Sequence, residues 1–417
     1  MVKWFPKTGW IGKYLKYTHT FERGSEIPPV FNFFTSVGVI SAVLQRNVYF
    51  QRDLYKLYPA MLIALIAPTG RGKKTTAINI GLDIVKEIKS VRIISEQITP
   101  EALVMALVRK GPVLRAGKIV EEDRDATGLL VLPELSVFLE KRDYRSGLVP
   151  LITRLADSPE YWSSETICRG EVALKNVALS MLAGSASSWL SGSIPLEAFT
   201  GGFMARFLFI VSDGSTIPVA FPKPLDTKLR DSLVRDLSHI AKFRGEVNFA
   251  GEDEKAYFQE WYDNQYVSRS FDEKEAAYQE RKHDHMLRLA MILAISDRRM
   301  EVTIPDMENA INILDENERK MFELFGEIEG KQTPVGENVQ VALRFIRKRG
   351  QVGRSELLKN MFPRGISAGM LTELIDTLIE AKLVKTQIVK NKEKGRDIVI
   401  YKYIGPKTKL FRRRRKE

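Results

Sequence analysis

From Met61 to Thr76 the chain reads Met-Leu-Ile-Ala-Leu-Ile-Ala-Pro-Thr-Gly-Arg-Gly-Lys-Lys-Thr-Thr. Met61 to Ile66 is a short, almost wholly apolar run, the composition of a strand buried on both faces of a parallel sheet. A loop with Gly70 and Gly72 follows. Then comes a segment from Lys74 to about Ser90 in which Ala77, Ile80, Ile84, Val85 and Ile88 recur at helical spacing. A strand, a glycine loop with lysine and a helix can together hold nucleotide phosphates. Glycines let backbone N–H groups approach, the helix N-terminus adds positive potential, a lysine reaches the β- and γ-phosphates, and a hydroxyl holds Mg²⁺.

The usual form of such a loop is G-x-x-x-x-G-K-[ST]; here Ala67 stands at the first glycine and Lys74 at the hydroxyl position. Either Lys73 is the phosphate lysine and the metal hydroxyl moves to Thr75, or the loop is one residue longer and Lys74 and Thr75 are the working pair. The sequence leaves both open. Candidate ATP contacts therefore run through Ala67, Pro68, Thr69, Gly70, Arg71, Gly72, Lys73, Lys74, Thr75 and Thr76. Taken alone, so degenerate a loop also reads as a basic turn between a strand and a helix.

A second stretch changes that balance. Gly128-Leu-Leu-Val-Leu-Pro-Glu-Leu-Ser136 is an apolar strand that delivers an acid at its C-terminal end. Glu134 is the candidate to polarise an attacking water and support Mg²⁺, while Pro133 stands where a metal-side aspartate would be. Metal binding would then rest on Thr75, Glu134 and waters. Asn176 to Ser185 reads as another buried strand, with Asn176 or Ser185 as a γ-phosphate contact. Phe207–Val211 reads as a further core strand, preceded by Arg206 behind Gly201-Gly202. An arginine at the rim of such a sheet can reach the γ-phosphate of a neighbouring subunit. Its plainer role is a pair with a local acid. Arg288, in a helical stretch, is a phosphate contact across domains or part of a solvated face. His283 and His285 lie two apart, on different helix faces, which argues against a metal pair.

The rest of the chain divides by composition. Residues 1–60 read as an accessory segment with helices over Trp10–Tyr17 and from Pro28-Pro29 to Leu44, then a strand at Asn47–Phe50. Residues 61–217 form the α/β core. Gly111–Asp125 is expected as a polar hairpin or loop, and Trp162–Lys175 as a β-hairpin around Arg169-Gly170. Pro218–Pro224 is a stiff linker, and 225–330 is a helical lid. Residues 335–405 show three helices and two strands in the order of a winged helix, with a basic tip at Lys390–Arg396, and 406–417 is a basic tail. Charge follows the same division. From Val335 to Glu417 there are 21 Lys/Arg against 8 Asp/Glu, a surplus of 13, so the net +12 leaves the preceding residues at −1. An anionic polymer is the expected partner of that end. The third helix of this region carries Glu373, Asp376 and Glu380, which disfavours base reading by that helix. One cysteine, Cys168, excludes an internal disulfide and fits a reducing cytoplasm. No apolar run reaches the length of a membrane span, and the N-terminus lacks the apolar segment of a secretory signal.

Several of these pieces resemble a family of phage and mobile-element proteins assigned to P-loop (AAA+/RecA-like) replicative helicases, often fused to primases. They are Ala67–Thr76, Leu132–Phe138, Leu182-Ala-Gly-Ser185, Gly201–Phe207 and Arg288-Leu-Ala290. The stretch from Gly202 to Ile210 and the helical unit after it are also similar to minichromosome-maintenance helicases, where the arginine matching Arg206 acts in trans and a winged helix closes the chain. The resemblance implies an ATPase that uses Mg²⁺ and binds single-stranded or duplex DNA. It implies a homo-oligomeric ring, with a hexamer among the ring sizes, and a primase or polymerase as partner. In it Lys73 or Lys74 grips phosphates, Glu134 activates water, Arg206 completes a neighbour's site, and Arg169 with Lys175 forms a DNA-gripping loop. Two rivals remain: an ATP-switched initiator or helicase loader, and a DNA-binding scaffold with an inactive loop.

Overall fold

The computed structural model describes all residues except 1, 23, 96–98, 109, 116–117, 136–146, 167–169, 189–201, 215–217, 268–272, 333, 391–396 and 406–417. Arg169, Gly201, most of the basic tip and the basic tail thus lie outside the described residues. The chain forms two compact units, Met1–Leu324 and Phe325–Glu417.

The first unit begins with helices α1 (Gly9–Tyr17) and α2 (Pro29–Leu44) and a hairpin of β1 (Val48–Arg52) and β2 (Tyr55–Leu57). The apolar runs then become β3 (Leu62–Ala67), β4 (Ile93–Ser95), β7 (Thr127–Leu132), β10 (Ala178–Ala186) and β11 (Phe207–Val211). These five pair in the order β11-β3-β10-β7-β4, and every pairing is parallel. All residues of β3 and β7 are buried, as strands covered on both faces must be. Helices α3 (Lys74–Val85) and α4 (Pro100–Leu107) form the crossovers on either side of β4, followed by a hairpin of β5 (Lys110–Arg115) and β6 (Lys118–Asp123). After β7 come α5 (Leu148–Leu155) and the hairpin of β8 (Tyr161–Thr166) and β9 (Gly170–Lys175), which leads into β10.

Helix α2 departs from the expectation of an accessory segment. It carries no charged residue, and Val30 to Leu44 are all buried, polar Asn32, Thr35, Ser36 and Ser41 included, so it forms a layer of the core and packs on α3 and β10. The Ser41 hydroxyl ties it to the sheet, bonding Ser180 Oγ at 2.8 Å and accepting from Met61 N at 3.1 Å. The region expected as a separate lid also joins this unit. It comprises α6 (Thr227–Ile240), short strands β12 (Gly245–Glu246) and β13 (Asn248–Phe249), α7 (Glu252–Val267), α8 (Glu273–Ser296), β14 (Glu301–Val302) and the part of α9 (Ile304–Gln332) up to Leu324. Apolar burial of Met286 to Ile295 carries α8 onto the base of the sheet.

The second unit contains α10 (Pro334–Arg349), β15 (Gln351–Gly353), α11 (Arg354–Met361), α12 (Ala368–Glu380), β16 (Val384–Lys390) and β17 (Asp397–Tyr403). Its antiparallel sheet has the order β15-β17-β16. It has its own core, including Ala342, Ile346, Leu357, Leu371, Ile375, Leu378 and Tyr401. Beyond Val384, residues Lys385 to Ile388 are exposed on both faces of β16. No helix among the described residues is long and apolar enough to cross a membrane.

Candidate functional site

Because the sheet is parallel, everything that follows a strand lies at one end of it and everything that precedes a strand lies at the other. The glycine loop after β3, Glu134 after β7 and Ser185 near the end of β10 share the first end. Arg206, immediately before β11, belongs to the second, since Phe207 pairs with Leu62.

At the loop, Gly70 (φ 72°) and Gly72 (φ 89°) adopt the left-handed backbone that glycine tolerates. A side chain at Gly72 would meet Ala67 Cβ at 2.7 Å and the Phe31 ring at 3.2 Å. Lys73 also lies in the left-handed region (φ 50°, ψ 38°), outside the helix. Its ammonium points away from the loop to Glu26, at 3.3 Å. Lys74 is the first residue of α3, and its ammonium turns back to donate to the Ala67 carbonyl at 3.0 Å. Burial pushes Lys74 below the usual lysine range, opposed by the negative charge of Glu134. The two lysines thus have different environments: Lys74 spans the loop and senses the acid, and Lys73 is tied to the N-terminal segment.

Among the described residues the backbone N–H groups of Gly72, Lys73, Lys74, Thr75 and Thr76 have no acceptor, whereas Arg71 N closes a turn on Pro68 O at 3.1 Å and Ala77 N reaches Lys73 O at 3.0 Å. Five orphan donors around a lysine make a cradle that an anion would satisfy. Thr69, Gly70, Arg71, Thr75, Thr76 and Glu134 are exposed, and Pro68 is half-buried, so the cradle is open to solvent. The residues fit a triphosphate with Mg²⁺: the Thr75 hydroxyl and the Glu134 carboxylate are among the exposed oxygen donors there, and Mg²⁺ takes few protein ligands when phosphates and waters supply the rest. Among the described residues no group of three or more His, Cys, Asp or Glu could hold a metal by itself.

Strand β10 lies between β3 and β7, so the loop and the acid stand two strand spacings apart, ~10 Å. That gap suits a phosphoryl group and a water. Gly184 keeps it clear: a side chain there would meet the Pro133 carbonyl at 2.7 Å and Lys74 Cβ at 3.5 Å. Ser185 is buried, pairs with Ile66 in register, and directs its hydroxyl to the Ala186 carbonyl at 3.4 Å. Asn176 is a correction. It precedes β10, at the far end of the sheet, and bonds Asp125 at 2.9 Å, because the start of a parallel strand cannot reach a loop at its finish.

The opposite end gathers charged side chains. Arg206 grips Asp157 through two bonds, Nε to Oδ1 at 3.0 Å and one terminal nitrogen to Oδ2 at 2.6 Å, and donates to Gly202 O at 2.8 Å. Arg281 of α8 donates to the same carboxylate at 2.8 Å. Burial alone would raise the Asp157 carboxyl, but the bonds and charges of the two arginines hold it below the usual carboxylate range. Arg288 is a second correction: it lies neither beside the loop of its own chain nor on a solvated face. It is 7% exposed, donates from Nε to Tyr58 O at 3.1 Å, and is pushed down by burial, because the apolar face of α8 draws it inside. His285 is buried beside it, bonded to Ala205 O at 2.9 Å, with Nδ1 unpartnered; burial and the Arg288 charge push its pKa down to about 4. Lys175 closes the base of the β8–β9 hairpin opposite Tyr161, and Arg169 lies outside the described residues.

Sequence reasoning missed Glu26, Gly184 and Asp157. Gly184 had a local signal, a glycine among small residues at the end of a buried strand. Glu26 and Asp157 had none, since their partners lie 47 and 49 positions away. Compared with models of known families and with curated proteins, the chain matches none.

Proposed function

We propose that the chain is a P-loop ATPase of the AAA+/RecA-like kind that works as a ring and translocates on or unwinds DNA during replication of a phage or mobile element. The observation that carries this reading is the pairing of Lys74 and five orphan N–H donors with Glu134 across β10, at one end of an all-parallel sheet. Lys74 is the phosphate lysine in this reading and Thr75 the hydroxyl that would hold Mg²⁺, which would neutralise phosphate charge when bound. Glu134 orients the attacking water. Lys73 supplies the left-handed turn that lets the loop run one residue longer. Arg206, out of reach of its own loop, serves the loop of a neighbouring copy.

The second unit is the DNA-binding winged helix. By sequence its basic residues cluster at Arg344, Arg347, Lys348 and Arg349 of α10, in the wing segment 390–396 and in the tail, rather than on α12, whose Glu373, Asp376 and Glu380 face solvent. Arg354 is occupied internally, bonding Tyr401 Oη at 2.9 Å, Ala368 O at 2.9 Å and Thr372 Oγ1 at 2.8 Å.

ATP turnover measured with and without single-stranded DNA, together with a strand-displacement assay, tests the reading. DNA-stimulated turnover with displacement supports it. Slow turnover without displacement favours the loader, and no turnover at all favours the scaffold. Deleting residues 335–417 should weaken DNA binding and flatten its salt dependence, each lost duplex phosphate contact removing about 0.9 from the slope of log K against log salt.

A further inference from the structure

Three arginines meet at the base of the sheet, but they are not equally placed to act outside their own chain. Arg288 is 7% exposed and faces Tyr58. The Arg206 and Arg281 side chains keep 16% and 29% of their surface in solvent, and both end on Asp157, itself 41% exposed. They come from distant parts of the chain, one from the turn before β11 and the other from α8. Two guanidinium groups brought this close repel unless a carboxylate lies between them. Asp157 is that carboxylate.

We infer that Asp157 is a positioning residue which holds Arg206 and Arg281 together as a paired contact for the γ-phosphate of a nucleotide bound to a second copy of this chain. The inference rests on the ring reading above and adds Arg281 and Asp157 to it. Arg206 has five donors, and Asp157 and Gly202 engage three of them, leaving two for an incoming phosphate. The grip through two bonds fixes the plane of the guanidinium, so little side-chain freedom remains to be lost on contact. Asp157 is itself fixed. It follows α5, whose Leu148, Leu151, Ile152 and Leu155 are buried, and precedes Ser158, a non-glycine residue at φ 52° whose carbonyl is bonded by Arg46 at 2.7 Å. Left-handed backbone at a non-glycine residue persists where its surroundings hold it. The net charge of Arg206, Asp157 and Arg281 is +1 at a partly exposed site, which suits an anion supplied from outside.

The test uses the full-length chain with Asp157→Asn, Asp157→Glu, Arg206→Ala and Lys74→Ala variants. Asp157→Asn should bind ATP at its own loop within about twofold of wild type, yet turn over roughly tenfold to a hundredfold more slowly, as expected when a transition-state contact loses its aim. Asp157→Glu, which keeps the charge, should retain more turnover than Asp157→Asn. Mixing supplies the readout that a purely structural role would not move. Asp157→Asn mixed with Lys74→Ala should regain activity, because intact loops then face intact arginine pairs. Asp157→Asn mixed with Arg206→Ala should regain none, because both lesions lie on the same face. Wild-type turnover by Asp157→Asn, or recovery with Arg206→Ala, overturns the assignment. If Arg206→Ala is itself not rescued by Lys74→Ala, the ring reading falls and this inference falls with it.

Discussion

The two ends of the central sheet treat their basic groups in opposite ways. At the loop end, Lys74 is half-buried with one carbonyl for a partner, five backbone donors have none, and Glu134 stands exposed across a glycine gap. At the base, Arg206 and Arg281 share Asp157, Arg288 is buried, and His285 is held neutral. Unmet donors beside a lysine mark a place where a ligand completes the structure. In the ring reading proposed above, the first end receives the nucleotide and the second is offered to a neighbour's site by head-to-tail contact between copies.

Four changes would break or sharpen that contrast. The largest effect is expected from Arg206→Ala, which should leave ATP affinity near wild type and lower turnover by about 10³, the low end for an arginine supplied in trans. A fall in affinity instead would make Arg206 a structural residue only. Next is pH. The folded pKa of His285 is about 4 against an ordinary value of 6.5, so as pH falls through that window the unfolded chain takes up the proton first. Stability is therefore full above about pH 6.5 and is lost toward pH 4, by ~3 kcal/mol, and His285→Gln should flatten this part of the stability profile. Chemical denaturation across that range measures it.

Glu134→Gln should keep ATP binding and lose about 10² in hydrolysis, the low range for general base action. Wild-type hydrolysis would remove the acid from the mechanism. The smallest effect separates the lysines. Lys74→Ala should weaken ATP binding at least about tenfold, near 1.4 kcal/mol, while Lys73→Ala should change it less than about threefold. The reverse order would put the phosphate lysine back at Lys73.

The elements were largely legible in the sequence because their signals are local. The apolar runs at 62–67, 127–132, 178–186 and 207–211 are buried parallel strands, and the region after Val335 shows its three helices and two long strands in the expected order, plus the short strand β15. Pairing order was not legible, because nothing in β10 announces that it lies between β3 and β7. Nor was the division between the lysines, which depends on one backbone angle at Lys73 and on Glu26, 47 positions earlier. Helix α2 looked peripheral from its place in the chain. Its high apolar content and lack of any charged residue were the better guide, and they predict burial on all sides.

The central claim is that the two ends form one catalytic site across two copies of the chain. Mixing Arg206→Ala with Lys74→Ala, each inactive alone, tests it most directly. The account predicts that ATPase activity returns on mixing, because Arg206→Ala subunits offer intact loops and Lys74→Ala subunits offer intact arginines, and that it vanishes on dilution below the assembly concentration. A wild-type monomer with full, concentration-independent activity, together with no recovery in the mixture, would contradict it.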